Sequence, residues 1–277
     1  MPVPSTALKI QRLPANTVGR DFVVGDIHGC LAFLNRALEL IGFDKDNDRL
    51  ISVGDLVDRG PANRECAELV YETWFYACKG NHEDMMIRSL IDDDQRYQGT
   101  WLGNGGMWMF QENKVLLTDL ARDLNNLPLV IVVGEGENRF NVVHGEIKHS
   151  TDWKRVPVTD QMIDDWVFDE SEEHDMIWGR TLISNGHPTF PPPADQLWHD
   201  LEKMSLTFCG HTPVRETVMV QRQMYIDNGA VFNAVGSYRS YDNKLVFACP
   251  NEKKLYQYVS LDDTLTTVDF ADIQQLS

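Results

Sequence analysis

Short apolar runs, each cut off by a polar turn that carries glycine, set the rhythm of the chain. Phe22–Val24, Leu50–Val53, Phe75–Cys78, Phe140–Val143 and Leu206–Cys209 are rich in Val, Ile, Leu or Phe and short enough for buried strands. The turns that follow read GDIHG, GDLVDRG, KGNHE, HGE and GHT. Between the early runs the period changes. Leu31, Leu34, Leu38 and Ile41 recur every three or four residues, on one face of a helix. Asn63–Thr73, Glu83–Ile91 and Lys114–Asn125 also read as helices, the last stopping before Pro128. Beyond Leu206 the pattern is mostly strand: TVMVQ, MYIDNG, KLVFAC and KLYQYVS. Alternating strands and helices followed by strands predict a mixed α/β fold, with mixed sheets covered by helices. Ile147–Asp175 is polar and irregular and reads as an insertion or surface loop near the site. The whole chain, residues 1–277, reads as a single domain, with an arm over about 1–20 and C-terminal strands and tail over about 234–277.

The five turns hold the chemistry, and in open α/β folds sites form at the carboxyl ends of strands. Asp26 and His28 can reach one point from an extended loop, and Gly25 and Gly29 permit close backbone approach. The second turn adds Asp55, Asp58 and Arg59, the third Asn81 and His82, the fourth His144 and the fifth His211. Any one of these histidines reads as an ordinary hydrogen-bonded side chain. The recurrence of potential ligands at all five strand ends points instead to a metal site. Mixed nitrogen and oxygen donors suit Mn, Fe or Zn and do not choose among them.

Composition changes this picture in two ways. The chain of 277 residues, 43% of them apolar, can bury a sizeable core. It has no apolar stretch of membrane-spanning length, and its first residues do not read as a secretory signal. Its five cysteines (Cys30, Cys66, Cys78, Cys209 and Cys249) are odd in number and lack CxxC spacing, as expected of reduced core residues in a cytoplasmic protein. The net charge of −17 repels nucleic acid and anionic membranes, so neither is an expected partner. A site for an anionic substrate must then carry positive charge of its own.

Taken in order, GDIHG, GDLVDRG, GNHE, HG and GHT resemble the signature of the phosphoprotein phosphatase family within the calcineurin-like metallophosphoesterases. LISVGDLVDRG, GNHEDMMI, NGGMWMF, MIWGRTLIS, GHTPV and MYIDNGAVF extend the resemblance, toward its lambda-phage-like and bacterial branch, over about Phe22–Phe232. The resemblance implies a pair of mixed sheets flanked by helices and two divalent ions, Mn²⁺ first among the candidates with Fe and Zn as alternatives. It implies one ion held by Asp26, His28 and Asp55, and the other by Asp55, Asn81, His144 and His211. It makes His82 the general acid, oriented by Asp58, and Arg59 and Arg180 the phosphate clamp. A hydroxide bridging the two ions would attack phosphorus directly, with phosphoproteins or phosphopeptides as substrates. The reaction class would be hydrolysis of phosphoserine and phosphothreonine, with phosphotyrosine a further substrate.

The chain departs from that pattern at four places. Lys79 precedes GNHE where relatives usually carry arginine, and from that position it is expected to bind phosphate as a weaker cation. Gly179 precedes Arg180 where relatives often have asparagine. HGE stands for HAD, and DNGAVF for DTGAVF. The acidic run Asp169–Asp175 reads as a solvated loop, with a selectivity lid beside Arg180 as its alternative. Two other functions compete. Dinucleoside polyphosphate hydrolases of the superfamily commonly read GDLVARG and GNHD, whereas this chain has Asp58 and Glu83 at those positions. An inactive phospho-binding module would have lost a ligand or the His82–Asp58 pair, and all are present.

Overall fold

The computed structural model describes residues 8–151, 154–185, 203–236 and 243–276. Among them two sheets of seven strands face each other. One runs β15 (Thr264–Asp269), β14 (Lys254–Val259), β13 (Lys244–Cys249), β2 (Asp21–Val24), β3 (Arg49–Ser52), β4 (Phe75–Ala77), with β12 (Asp227–Asn228) also pairing with β13. The other runs β1 (Ile10–Leu13), β5 (Val130–Val133), β6 (Phe140–Val143), β9 (Leu206–Cys209), β11 (Gln223–Tyr225), β10 (Val218–Val220), β16 (Gln274–Leu276). β7 (His149–Thr151) and β8 (Lys154–Val156) form a separate hairpin. Within the first sheet β2, β3 and β4 are parallel, and so are β6, β9 and β11 in the second. Parallel neighbours end on the same side. That is why five turns far apart in sequence can converge.

Alternation along each strand divides the core. Val23, Ile51 and Val53 pack between the sheets with Ile131, Val133, Val142, Phe208 and Val246. Their neighbours Phe22, Val24 and Leu50 face the other way, against helices α1 (Leu31–Ile41), α3 (Asn81–Leu90) and α5 (Lys114–Leu124). Helix α1 buries Leu34, Leu38 and Ile41 as its period predicts, and stops at Gly42 with φ +66°. The expected helix over 63–73 is split: α2 covers Asn63–Ala67, and Glu68–Tyr71 tightens into a 3₁₀ turn before β4. Helix α4 (Gln95–Gly103), not foreseen, is capped by Asp94, whose side chain accepts from Arg96 and Tyr97 N–H.

Within the arm expected over about 1–20, Ile10–Leu13 pairs in parallel with β5. The 147–175 segment is not an irregular loop. It carries the β7–β8 hairpin, α6 (Asp160–Asp164) and the start of α7 (Glu170–Trp178), followed by α8 (Thr181–Asn185). Ile147, Val158, Ile163, Phe168 and Met176 cover the outer face of the second sheet. Only Ile163 and Met176 lie in helices and the others in the connections between short elements, so no single period reveals them. The acidic run is itself the start of α7, capped by Asp169 and closed by Glu172. Helix α9 (Val231–Ala234) follows β12. No described helix is long and apolar enough to cross a membrane.

Candidate metal centre

Each strand end delivers its residue through a constrained turn. A Cβ on Gly25 would lie 2.4 Å from the Ile226 carbonyl oxygen, so only glycine lets the turn after β2 approach the backbone between β11 and β12. Beyond it, the N–H groups of Ile27 and His28 donate to the Asp55 carbonyl at 3.1 and 2.8 Å, locking the first two turns together. His28, Asp55, Asp58, Arg59 and His211 all hold positive φ, between 46° and 74°. Non-glycine residues pay about 1–3 kcal/mol for such backbone and keep it only where the surroundings enforce it.

The turns bring Asp26, His28, Asp55, Asn81, His82, His144 and His211 into one buried group around Asp55. Asp55 Oδ2 lies 3.5 Å from His28 Nε2, and its Oδ1 lies 3.2 Å from His144 Nε2. Asp26 Oδ2 is 3.9 Å from His28 Nε2. Asn81 Oδ1 is 3.0 Å from His144 Nε2 and 2.7 Å from His211 Nδ1. His28 Nδ1 is 2.9 Å from the Val57 carbonyl and His144 Nδ1 is 3.1 Å from that of Val53. A carbonyl only accepts, so both Nδ1 atoms carry protons and each Nε2 presents a lone pair inward.

Electrostatics point the same way. Burial and the Arg59 charge hold His28 well below the ordinary imidazole range. Burial, with His144 and Arg180, takes His211 down to about 2. Burial also lowers His144, so these three rings are neutral, as metal ligands must be. Burial and the charges of Asp227 and Asp55 push Asp26 well above the carboxylate range, and burial takes Asp227 to about 6. Three buried carboxylates without a compensating cation are costly, and a divalent ion removes that cost. The residues fit a two-metal centre. Two overlapping triads, His28–Asp55–His82 and Asp55–His144–His211, share Asp55, and the donor atoms of each lie within 4.8 Å of one another.

His82 stands beside this group. Its Nδ1 is 2.6 Å from Asp58 Oδ2. Asp58 is fully buried and accepts from two further donors that sequence reading gave no role. Trp101 Nε1 lies 2.9 Å from both of its oxygens, and Trp108 Nε1 lies 2.7 Å from Oδ1. The motif NGGMWMF contains Trp108, but an indole's partner 50 residues back is invisible without the fold. Burial alone would lower the His82 pKa; the Asp55 charge and the Asp58 hydrogen bond outweigh it and raise it. Arg59 donates to Nε2 of His28 at 2.5 Å and of His82 at 2.9 Å, which sets its guanidinium over the site. Gly105, at φ +113°, makes room for it: a Cβ there would lie 2.7 Å from Arg59 N.

Buried carboxylates hold the turns from behind. Glu83 accepts from Asp55 N at 2.9 Å, Leu56 N at 2.8 Å and Gly80 N at 2.9 Å, stitching the second turn to the third. Glu146 accepts from Thr181 N at 2.8 Å and Leu182 N at 2.7 Å. Arg180 is exposed, two residues past Trp178, whose ring lies 6.2 Å from that of His211. Trp178 is fixed by its indole N–H to Asp84 Oδ2 at 3.0 Å. Lys79 behaves differently from expectation. It is 4% exposed, and its ammonium donates at 3.0 Å to both the carbonyl and the side-chain oxygen of Asn125, at the end of α5. Its donors go to a helix C-terminus, where cations are favoured, and not to the group around Asp55. Positive charge at the site comes from Arg59 and Arg180 instead.

Candidate metal donors converging at strand ends of two mixed sheets fit a metal-dependent phosphoesterase architecture. The calcineurin-like phosphoesterase family model matches residues 22–215, and the chain belongs to that family. It is 32% identical over 226 residues to Serine/threonine-protein phosphatase 1 of Salmonella typhimurium, covering 80% of this chain and 92% of the relative. It is 24% identical over 225 residues to an asymmetrical bis(5'-nucleosyl)-tetraphosphatase of Anoxybacillus flavithermus, covering 76% and 85%. Among solved structures, a Saccharomyces cerevisiae protein serine/threonine phosphatase superposes with a TM-score of 0.58 at 14% identity, covering 96% of this chain and 85% of that one. That likeness is one of fold.

Proposed function

We propose that this protein is a metal-dependent phosphoprotein phosphatase that hydrolyses phosphoserine and phosphothreonine monoesters, and phosphotyrosine as a further substrate. The observation that carries the reading is the His82–Asp58 pair at the edge of the Asp55 group, fastened by two indoles. Asp26, His28 and Asp55 would hold one divalent ion, and Asp55, Asn81, His144 and His211 the other. Mn²⁺ is the first candidate, and Fe and Zn share the donor preference. When bound, the two ions activate water near neutral pH and neutralise charge on the phosphoryl oxygens.

The chain's own residues do the rest. Arg59 binds phosphoryl oxygens from the His28–His82 side, and Arg180 from beyond Trp178. Both are planar forks suited to two oxygens at once. Asp58 holds the His82 Nδ1 proton and favours the imidazolium, so that once the phosphoryl group draws Arg59 off Nε2, that nitrogen carries the proton given to the departing serine oxygen. The seryl alkoxide is strongly basic and needs that proton. Phosphoprotein substrates follow from the protein phosphatase relatives, and a cytoplasmic setting suits five free, buried cysteines.

A second reading, dinucleoside polyphosphate hydrolysis, draws on the tetraphosphatase relative. One experiment separates them: metal-reconstituted protein is assayed on a phosphoserine peptide panel and on diadenosine tetraphosphate. Higher kcat/KM on the peptides is expected. A kcat/KM on diadenosine tetraphosphate above that on every peptide would reverse the assignment.

A further inference from the structure

Two departures from the family pattern meet in space. Glu146 stands where HAD would place aspartate, and Gly179 stands where asparagine is common. A Cβ on Gly179 would lie 2.6 Å from Glu146 Cγ and 2.5 Å from the Asp175 carbonyl oxygen. The Glu146 side chain and the Asp175 backbone together close the space that a side chain at 179 would need. Glu146 is fully buried, and its two oxygens take one N–H each, from Thr181 at 2.8 Å and Leu182 at 2.7 Å. These are the first two N–H groups after Arg180. The backbone on the other side is tied as well: Gly145 N donates to the Met176 carbonyl at 2.7 Å and Glu146 N to that of Asp175 at 3.1 Å. Lys148 closes the cluster, with its ammonium 2.9 Å from Asp175 Oδ2, 3.0 Å from Thr181 Oγ1 and 3.6 Å from Glu146 Oε1.

We infer that Glu146 is a positioning residue that acts through Arg180, fixing the turn from which that guanidinium reaches the phosphoryl group. The inference rests on the phosphate-binding reading of Arg180 given above. Arg180 itself is exposed, so its own surroundings do little to hold it. A flexible cation binds a dianion only after its ordering is paid for. Two short, charge-assisted bonds to the adjacent backbone confine the root of the side chain in advance. The same carboxylate lies two residues beyond His144, so the turn bearing a metal ligand and the turn bearing the clamp share one buried anchor. A clamp that binds substrate and transition state alike changes mainly KM.

The test uses metal-reconstituted protein and a phosphoserine peptide, with inorganic phosphate as competing ligand and its binding followed by calorimetry. Glu146→Gln keeps the shape but replaces one acceptor oxygen by an N–H₂ that opposes an N–H. It should raise KM and weaken phosphate binding about tenfold, with kcat within about threefold. In an Arg180→Ala background the same change should add less than about twofold. If Arg180→Ala alone leaves KM and phosphate binding unchanged, the reading of Arg180 fails and this inference falls with it. If Arg180→Ala weakens phosphate but Glu146→Gln does not, or weakens it equally in both backgrounds, only the role of Glu146 is overturned. Should Glu146→Gln fail to fold, Lys148→Met carries the same test, with about threefold weakening expected in the parent and none in the Arg180→Ala background.

Discussion

Arg59 and Arg180 are both arginines beside one site, yet the two regions that carry them are built in opposite ways. Arg59 sits in the turn after β3, where positive φ, the Gly105 contact and two imidazole partners fix it within the ligand cluster itself. Arg180 sits at the end of a segment packed on the outside of the second sheet, with its guanidinium exposed and its backbone anchored by Glu146. The first region is rigid because strands end there, and the second because a buried carboxylate ties a loop down. Chemistry that must be placed most accurately belongs with the first, and binding that can adapt belongs with the second.

Removing divalent ions is the largest way to break the comparison, because the residues proposed to hold them belong with the first region. Chelation should abolish hydrolysis of p-nitrophenyl phosphate, and Mn²⁺ or a similar ion should restore it. Full turnover by verified metal-free protein would refute the two-metal assignment. Next in size, His82→Asn should slow a phosphoserine peptide by about 10²–10⁴-fold and p-nitrophenyl phosphate far less, since the nitrophenolate leaves without a proton. Equal losses on both esters would take the proton-donor role from His82.

Trp108→Phe sharpens the point by touching neither ligand nor substrate. It removes a 2.7 Å donor from Asp58, a hydrogen bond to a charged group worth about 1.5–3 kcal/mol. Peptide kcat should fall about tenfold, with KM and metal content unchanged. A changed metal content would mean that the indole supports the centre and not the acid pair.

A further effect leaves catalysis aside: it concerns Lys79 and is read in stability. Its pKa is lowered from 10.5 to about 8, chiefly by burial. Between those values the unfolded chain binds the proton and the folded one does not, so stability rises with pH across that window. The cost of burying the charge is fully present below about pH 8 and relieved by about 10.5. At about 1.4 kcal/mol per pH unit, the rise is on the order of 3 kcal/mol. Denaturant unfolding of wild type and Lys79→Met from pH 7 to 10.5 should show this rise as the difference between the two. Parallel curves would show that the ammonium titrates as if in water.

What could be read from the sequence followed from locality. Asp26 and His28, or Asn81 and His82, lie in one turn, and an apolar strand before the turn fixes which way it opens. Lys79 shows where locality misleads. Its neighbours are the GNHE residues, but a side chain with four methylene groups can leave its turn, and this one crosses to Asn125. The 147–175 segment resembles an insertion or surface loop in sequence because its apolar residues are scattered over short elements and their connections and mean nothing singly.

The sequence by itself determined the mixed α/β class and the strand-end positions of Asp26, His28, Asp55, Asn81, His144 and His211, each a property of a few adjacent residues and of strand period. The His82–Asp58 pair, 24 residues apart, is implied only by the family resemblance. Only the tertiary structure decided that Trp101 and Trp108 hold Asp58, that Glu83 and Glu146 stitch the turns, and that Lys79 serves a helix end. Those partners lie 26 to 50 residues apart for the most part, and Glu83 alone also bonds within its own turn. A buried donor takes whatever acceptor the packing leaves within about 3 Å, and packing is set by the whole chain.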